Sequence, residues 1–154
     1  MASRRKSREF ALQMLFQWEV GDHRPEHVLS TFFAGRNDDP EVERFARSLF
    51  EGTLDELATI DQLIREQSQN WRVERMSAVD RNLLRLSIFE LLRQTETPPA
   101  VVIDEALEIA RKFSGESSVE FVNGILDGVR KKLSSNGPPA EPTQTQSAKT
   151  SPQK

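Results

Sequence analysis

Cysteine and tyrosine are absent from this 154-residue sequence, and histidine occurs only at positions 23 and 27. Without thiols there can be no disulfide framework, thiolate metal site, iron-sulfur cluster or cysteine nucleophile, and nothing asks for an oxidising compartment. A cytoplasmic setting fits. Long apolar runs are also missing, so no segment approaches the roughly 20 residues that span a bilayer. The basic start resembles a secretory leader, but Glu9, Gln13, Gln17 and Glu19 interrupt what would be its apolar stretch of roughly 7 to 15 residues. Glu9 also argues against a transit peptide. Strand signals are scarce, with few threonines and valines and no sustained alternation of apolar and polar residues, so the chain is expected to be all-α. There is no glycine-rich phosphate loop and no serine placed near a base by a known motif. Pro25 separates His23 from His27 and no third ligand is near, while Asp38 and Asp39 read as helix caps. Enzymatic activity, metals and cofactors are therefore not expected.

What is present is an uneven charge distribution. The net charge is -3, yet Arg4, Arg5, Lys6 and Arg8 supply +4, which leaves -7 for the rest. The asymmetry carries more information than the total.

Residues 4–20 read as a first helix stopped by Gly21-Asp22, and Arg24-Pro25 opens a short helix through Val28, Leu29, Phe32 and Phe33. Asp39 is the candidate N-cap of a helix with Pro40 at its first position. From Val42 to Ile64 the apolar spacing gives one long helix, or two broken near Gly52, ending about Gln67. Ser77 can cap a helix with Asp80 as its acidic third residue and Leu83, Leu84, Ile88, Leu91 and Leu92 as its buried stripe. Thr97-Pro98-Pro99 separates it from a helix in which Ile103, Ala106, Leu107, Ala110 and Phe113 face inward. Ser114-Gly115 breaks that helix. Ser117 or Ser118 can cap the last, with Val122, Ile125, Leu126, Val129 and Leu133 turned to the core. Two helix clusters hinged near residues 68–77 thus form one domain over residues 1–133. The stretch from Ser134, with four prolines and no aromatic or branched aliphatic residue, reads as a disordered tail.

On a helical wheel of about 100° per residue, Ala11, Met14, Leu15 and Trp18 form the first helix's core face, and Phe16 lies about 140° away. It shares its strip with Arg5 and Glu9, with Gln13 and Lys6 slightly further round. Cations, an outward ring and an amide are what single-stranded nucleic acid needs: charge for phosphates, a π-face for a base, a polar group for a base edge. The plainer alternative is that the terminal charges are solvated and Phe16 packs under a neighbouring helix. A basic amphipathic helix also suits an anionic membrane surface, but the core's need for Trp18 leaves little apolar surface to insert. Cations at a helix N-terminus oppose its dipole by about 0.3 to 1 kcal/mol each, a cost that a bound polyanion would reverse. In the last helix, Gly124 and Gly128 each cost about 1 kcal/mol relative to alanine and suggest the close approach of another backbone. Phe121, about 100° off the apolar face, is a second flanking aromatic or else closes the core's edge.

Four segments together resemble the transcription antitermination factor NusB family: "SRRKSREFALQMLFQWE" at the start, "NWRVERMSAVDRNLLRLSIFELL" in the middle, "PAVVIDEALEIARKFSG", and "FVNGILD" near the end. The resemblance covers residues 3–133. It implies two perpendicular helical bundles without catalytic activity, which bind the boxA element of ribosomal RNA leader transcripts as single-stranded RNA. It further implies pairing with NusE, a ribosomal small-subunit protein, and action within the RNA polymerase antitermination complex. On this sequence the family's RNA-binding positions fall on Arg4, Arg5, Lys6, Arg8, Gln13, Phe16, Lys112, Ser118 and Phe121, and its NusE-facing positions on Asp80 and Ser117. Some members are acidic where this chain has Ser117. A related module occurs in ribosomal RNA cytosine methyltransferases, whose catalytic domain would follow where this chain becomes proline-rich. A helical homodimer indifferent to RNA is the other alternative.

Overall fold

The computed structural model describes residues 2–69 and 72–136, and all regular structure among them is helical. The elements are α1 (Ala2–Glu19), α2 (Pro25–Thr31), α3 (Pro40–Asp55), α4 (Leu57–Ser68), a single 3-10 turn (Val73–Arg75), α5 (Ala78–Arg93), α6 (Pro99–Phe113) and α7 (Glu116–Asn136). The expected tail lies outside the described residues except at its start, where α7 continues to Asn136, past the boundary expected at Ser134. Asn70 and Trp71, within the expected hinge, also lie outside them.

Local chemistry accounts for the boundaries. The Asp39 side chain accepts from the Glu41 amide with Pro40 at the first position of α3, and Ser77 accepts from the Asp80 amide at the start of α5. Asp22 adopts φ 58 just after α1, and Gly115 at φ 127 turns the chain between α6 and α7, a conformation that only glycine adopts without strain. Neither Ser117 nor Ser118 caps α7, because the helix begins at Glu116 and places both inside its first turn.

α5 is the centre of the molecule, packing against α1, α3, α4, α6 and α7. Every residue from Asn82 to Glu90 is buried, so its buried face is not a stripe but nearly the whole circumference. Groups α1–α3 and α4–α7 therefore share one core across this helix. The charged residues forced inside are matched. Arg85 donates to Asp61 of α4 through Nε and Nη2 at 2.9 and 3.0 Å, and to Glu19 of α1 through Nη1 at 3.0 Å. Arg81 also grips Glu19 and donates to the Met76 carbonyl at 2.6 Å, which fastens the 3-10 turn to the end of α1.

The break between α3 and α4 falls at Glu56, not at Gly52. The Glu56 carboxylate accepts from Arg93 Nε and Nη2 at 2.6 and 2.7 Å, holding the corner against the end of α5. Gly52 has a different purpose: a Cβ there would lie 2.2 Å from the Phe89 ring. The residue is small so that α5 can approach. Gly128 is similar, since a Cβ would meet the Gln67 side chain of α4, whereas Gly124 has nothing within 4 Å. The expectation that both admit a neighbouring backbone is thus corrected. A second correction concerns Phe113, which is 39% exposed at the end of α6. In α1, Phe10 and Leu12 join the expected core residues, Phe10 meeting Phe32 and Phe33 edge to face at 5.6 and 5.7 Å.

Candidate nucleic-acid interface

The first turns of α1 sort its cations by burial. Arg4 and Lys6 are exposed. The Arg4 guanidinium stacks 3.8 Å from the centroid of Phe45 on α3, and the Lys6 ammonium lies 5.8 Å from that of Phe10. Arg5 donates to both oxygens of Glu105 on α6 at 2.7 and 2.9 Å and keeps 44% of its side chain exposed. Its hydrogen bonds and charge hold the Glu105 carboxyl below its ordinary range despite partial burial, and raise the guanidinium's own pKa. Arg8 is different. It is 4% exposed, donates to both oxygens of Glu90 on α5 at 2.7 and 2.9 Å, and comes within 3.8 Å of Glu105. A buried guanidinium with this pairing cannot reach a phosphate without dismantling the core, so Arg8 leaves the cationic set proposed from the sequence.

Further along the same strip, Gln13 is exposed and Phe16 is 39% exposed, off the core as the wheel implied. Glu9 between them and Arg5 accepts from Lys112 at 3.1 and 3.2 Å. The Lys112 ammonium lies 5.3 Å from the centroid of the adjoining Phe113. Arg5–Glu105 and Lys112–Glu9 are reciprocal: α1 and α6 each give a cation to the other's carboxylate across the seam between them.

The remaining residues gather one turn away. Ser114 and Ser118 each donate to one oxygen of Asp80 at 2.9 Å. Asp80, Ser117, Ser118 and the half-buried Phe121 line a hollow of about 340 Å³ with Arg75 and Met76. Ser117 itself is exposed. The last residues of α6 join the two places, since Lys112 bonds to the strip and Ser114 to the hollow. Sequence reasoning missed two parts of this surface. Phe113 reads as core because its spacing continues the α6 stripe, and Phe45, the ring beneath Arg4, reads only as part of the apolar spacing of its helix. His23 and His27 stack with centroids 4.9 Å apart, and among the described residues no cluster could hold a metal ion and no helix is long and apolar enough to cross a membrane.

Against known proteins, the model of the NusB family matches residues 5–131. The chain is 48% identical over 143 residues to the transcription antitermination protein NusB of Solibacter usitatus, covering 91% of this chain and 97% of the relative. It is 50% identical over 132 residues to that of Koribacter versatilis, covering 85% and 90%. Among solved structures, NusB of T. maritima superposes with a TM-score of 0.76 at 39% identity, over 84% of this chain and 91% of the other. The fold also matches NusB in a crystal structure of the antitermination factors NusB and NusE with dsRNA, at a TM-score of 0.78 and 23% identity, over 86% of this chain and 98% of that one. Matched over nearly the whole length of its relatives and in every helix that builds the seam, the chain belongs to the NusB family.

Proposed function

We propose that this protein is a transcription antitermination factor that binds the boxA element of ribosomal RNA leader transcripts as a single strand, jointly with NusE, and delivers both to RNA polymerase in the cytoplasm. It binds and positions; it has no catalytic step. One observation supports this reading most: Lys112–Ser114 joins the α1 strip of cations, amide and ring to the hollow around Asp80 and Phe121. RNA and a basic protein can therefore meet on one continuous face. Arg4, Arg5, Lys6 and Lys112 serve the phosphates, Phe16 and Phe113 offer base-stacking faces, and Gln13 a base edge. Asp80, with its carboxylate fixed by two serines, is the anionic feature toward NusE, and Ser117 beside it adds no charge of its own. A binding assay with boxA RNA and a scrambled control, each with and without NusE, tests this. Tighter binding of boxA, enhanced by NusE, is expected; equal binding of both RNAs in the presence of NusE would reduce the activity to nonspecific adhesion.

A further inference from the structure

Glu9 is out of place on a surface that holds a polyanion. Its side chain is 16% exposed, in the strip between Arg5 and Gln13, and every other polar member of that strip is a cation or an amide. A carboxylate has only acceptor sites, about four across its two oxygens. Lys112 takes one on each oxygen at 3.1 and 3.2 Å and pins the group in place, leaving the others to meet a ligand. Those sites repel a phosphate oxygen. They accept well from base N–H groups, which unpaired cytosine, adenine and guanine all present on their Watson–Crick edges.

Resting on the RNA reading above, we propose that Glu9 is a specificity-determining residue: it accepts a hydrogen bond from the amino or imino edge of one unpaired base and turns away RNA whose register puts a phosphate there. The geometry favours this over a purely structural pair. The α1–α6 seam is already closed by the bidentate Arg5–Glu105 pair, whose cation is the more buried of the two. Lys112, by contrast, is 60% exposed, so the Glu9 pair contributes little to stability. Glu9 also sits one turn from Gln13, placing two polar groups of different hydrogen-bonding character along the path of successive bases that leads to Phe16.

Affinities of boxA and scrambled RNA are to be measured for the full chain and for Glu9→Gln, which keeps the shape and removes the charge. Glu66→Gln serves as a charge-matched control, because Glu66 pairs with Lys132 on the separate α4–α7 seam. Glu9→Gln is expected to tighten scrambled RNA about two- to five-fold, the scale of one exposed charge interaction, without tightening boxA. The ratio between the two RNAs then falls, while Glu66→Gln leaves it unchanged. An unaltered or larger ratio in Glu9→Gln overturns the proposal. Failure of the parent RNA reading looks different: the unsubstituted protein itself would not distinguish the two RNAs.

Discussion

Arg8 and Phe16 lie on one helix and have opposite fates. Arg8 belongs to the densest run of positive charge in the chain, yet its guanidinium is sealed against Glu90, whereas Phe16 is an apolar ring left 39% in solvent. Arg8→Ala strands a buried carboxylate on α5 and should destabilise by about 3 to 5 kcal/mol, read from denaturant midpoints. Phe16→Ala should leave that midpoint nearly unchanged and weaken RNA binding by about 1 to 3 kcal/mol through lost stacking. If Phe16→Ala unfolds the protein and its residual affinity is normal, the ring is a core residue. The exposure of Phe16 was legible because an off-axis aromatic breaks an otherwise clean apolar arc. The burial of Arg8 was not, since its partner lies 82 positions away in the sequence and no local pattern marks the pair.

Individual helices show the same division between local and distant causes. The caps at Asp39 and Ser77 are local devices, written in the residues themselves, and both occur where expected. The glycines are not, because what they make room for comes from another helix. Gly52→Ala would press a methyl into the Phe89 ring and should cost about 1 to 3 kcal/mol. Gly124→Ala meets open space inside α7 and should instead raise stability by up to about 1 kcal/mol; thermal unfolding of the two variants should move in opposite directions. Similarly, the apolar spacing of α5 reveals its stripe but not its burial on all sides, which follows only once five helices surround it. Phe113 failed for the converse reason: its register continues the α6 stripe, but the helix ends there, beyond the elements that would cover it.

For the molecule as a whole, stability and binding draw on charge in separate ways. Glu19 is pushed up by burial, but hydrogen bonds from Arg81, Arg85 and Asn82 outweigh this and hold its carboxyl below the ordinary range, as the Arg5 pair does for Glu105. Because both carboxyls are depressed in the folded state, their stabilisation is fully present above the unfolded value of about 4.3. It is lost as pH falls through the lower folded values, when protonation cuts the ties among α1, α5 and α6. Urea midpoints should therefore hold steady near neutrality and fall under acid, with a shallower fall in Glu19→Gln. On the proposed reading, binding instead draws on the exposed cations. With Arg8 removed from the set and Lys112 added, four phosphate contacts should give log K a slope of about -2.8 against log salt, at about -0.7 per contact on single strands. A slope near zero would remove the electrostatic half of the reading. The acidic remainder of the chain, -7 once the four early cations are set aside, discourages indiscriminate RNA contact and suits a basic partner.

The central claim is that one continuous face, from the α1 strip through the end of α6 to Phe121 in the lining of the hollow, receives the RNA and leaves Asp80 to NusE. Backbone amide chemical shifts recorded during titration with boxA RNA test it most directly. The largest changes should fall on residues 4–16 of α1, on Lys112 to Ser114 and near Phe121, with α2 and α4 quiet. Shifts concentrated on α2 and α4, with the α1–α6 seam silent, would contradict the account.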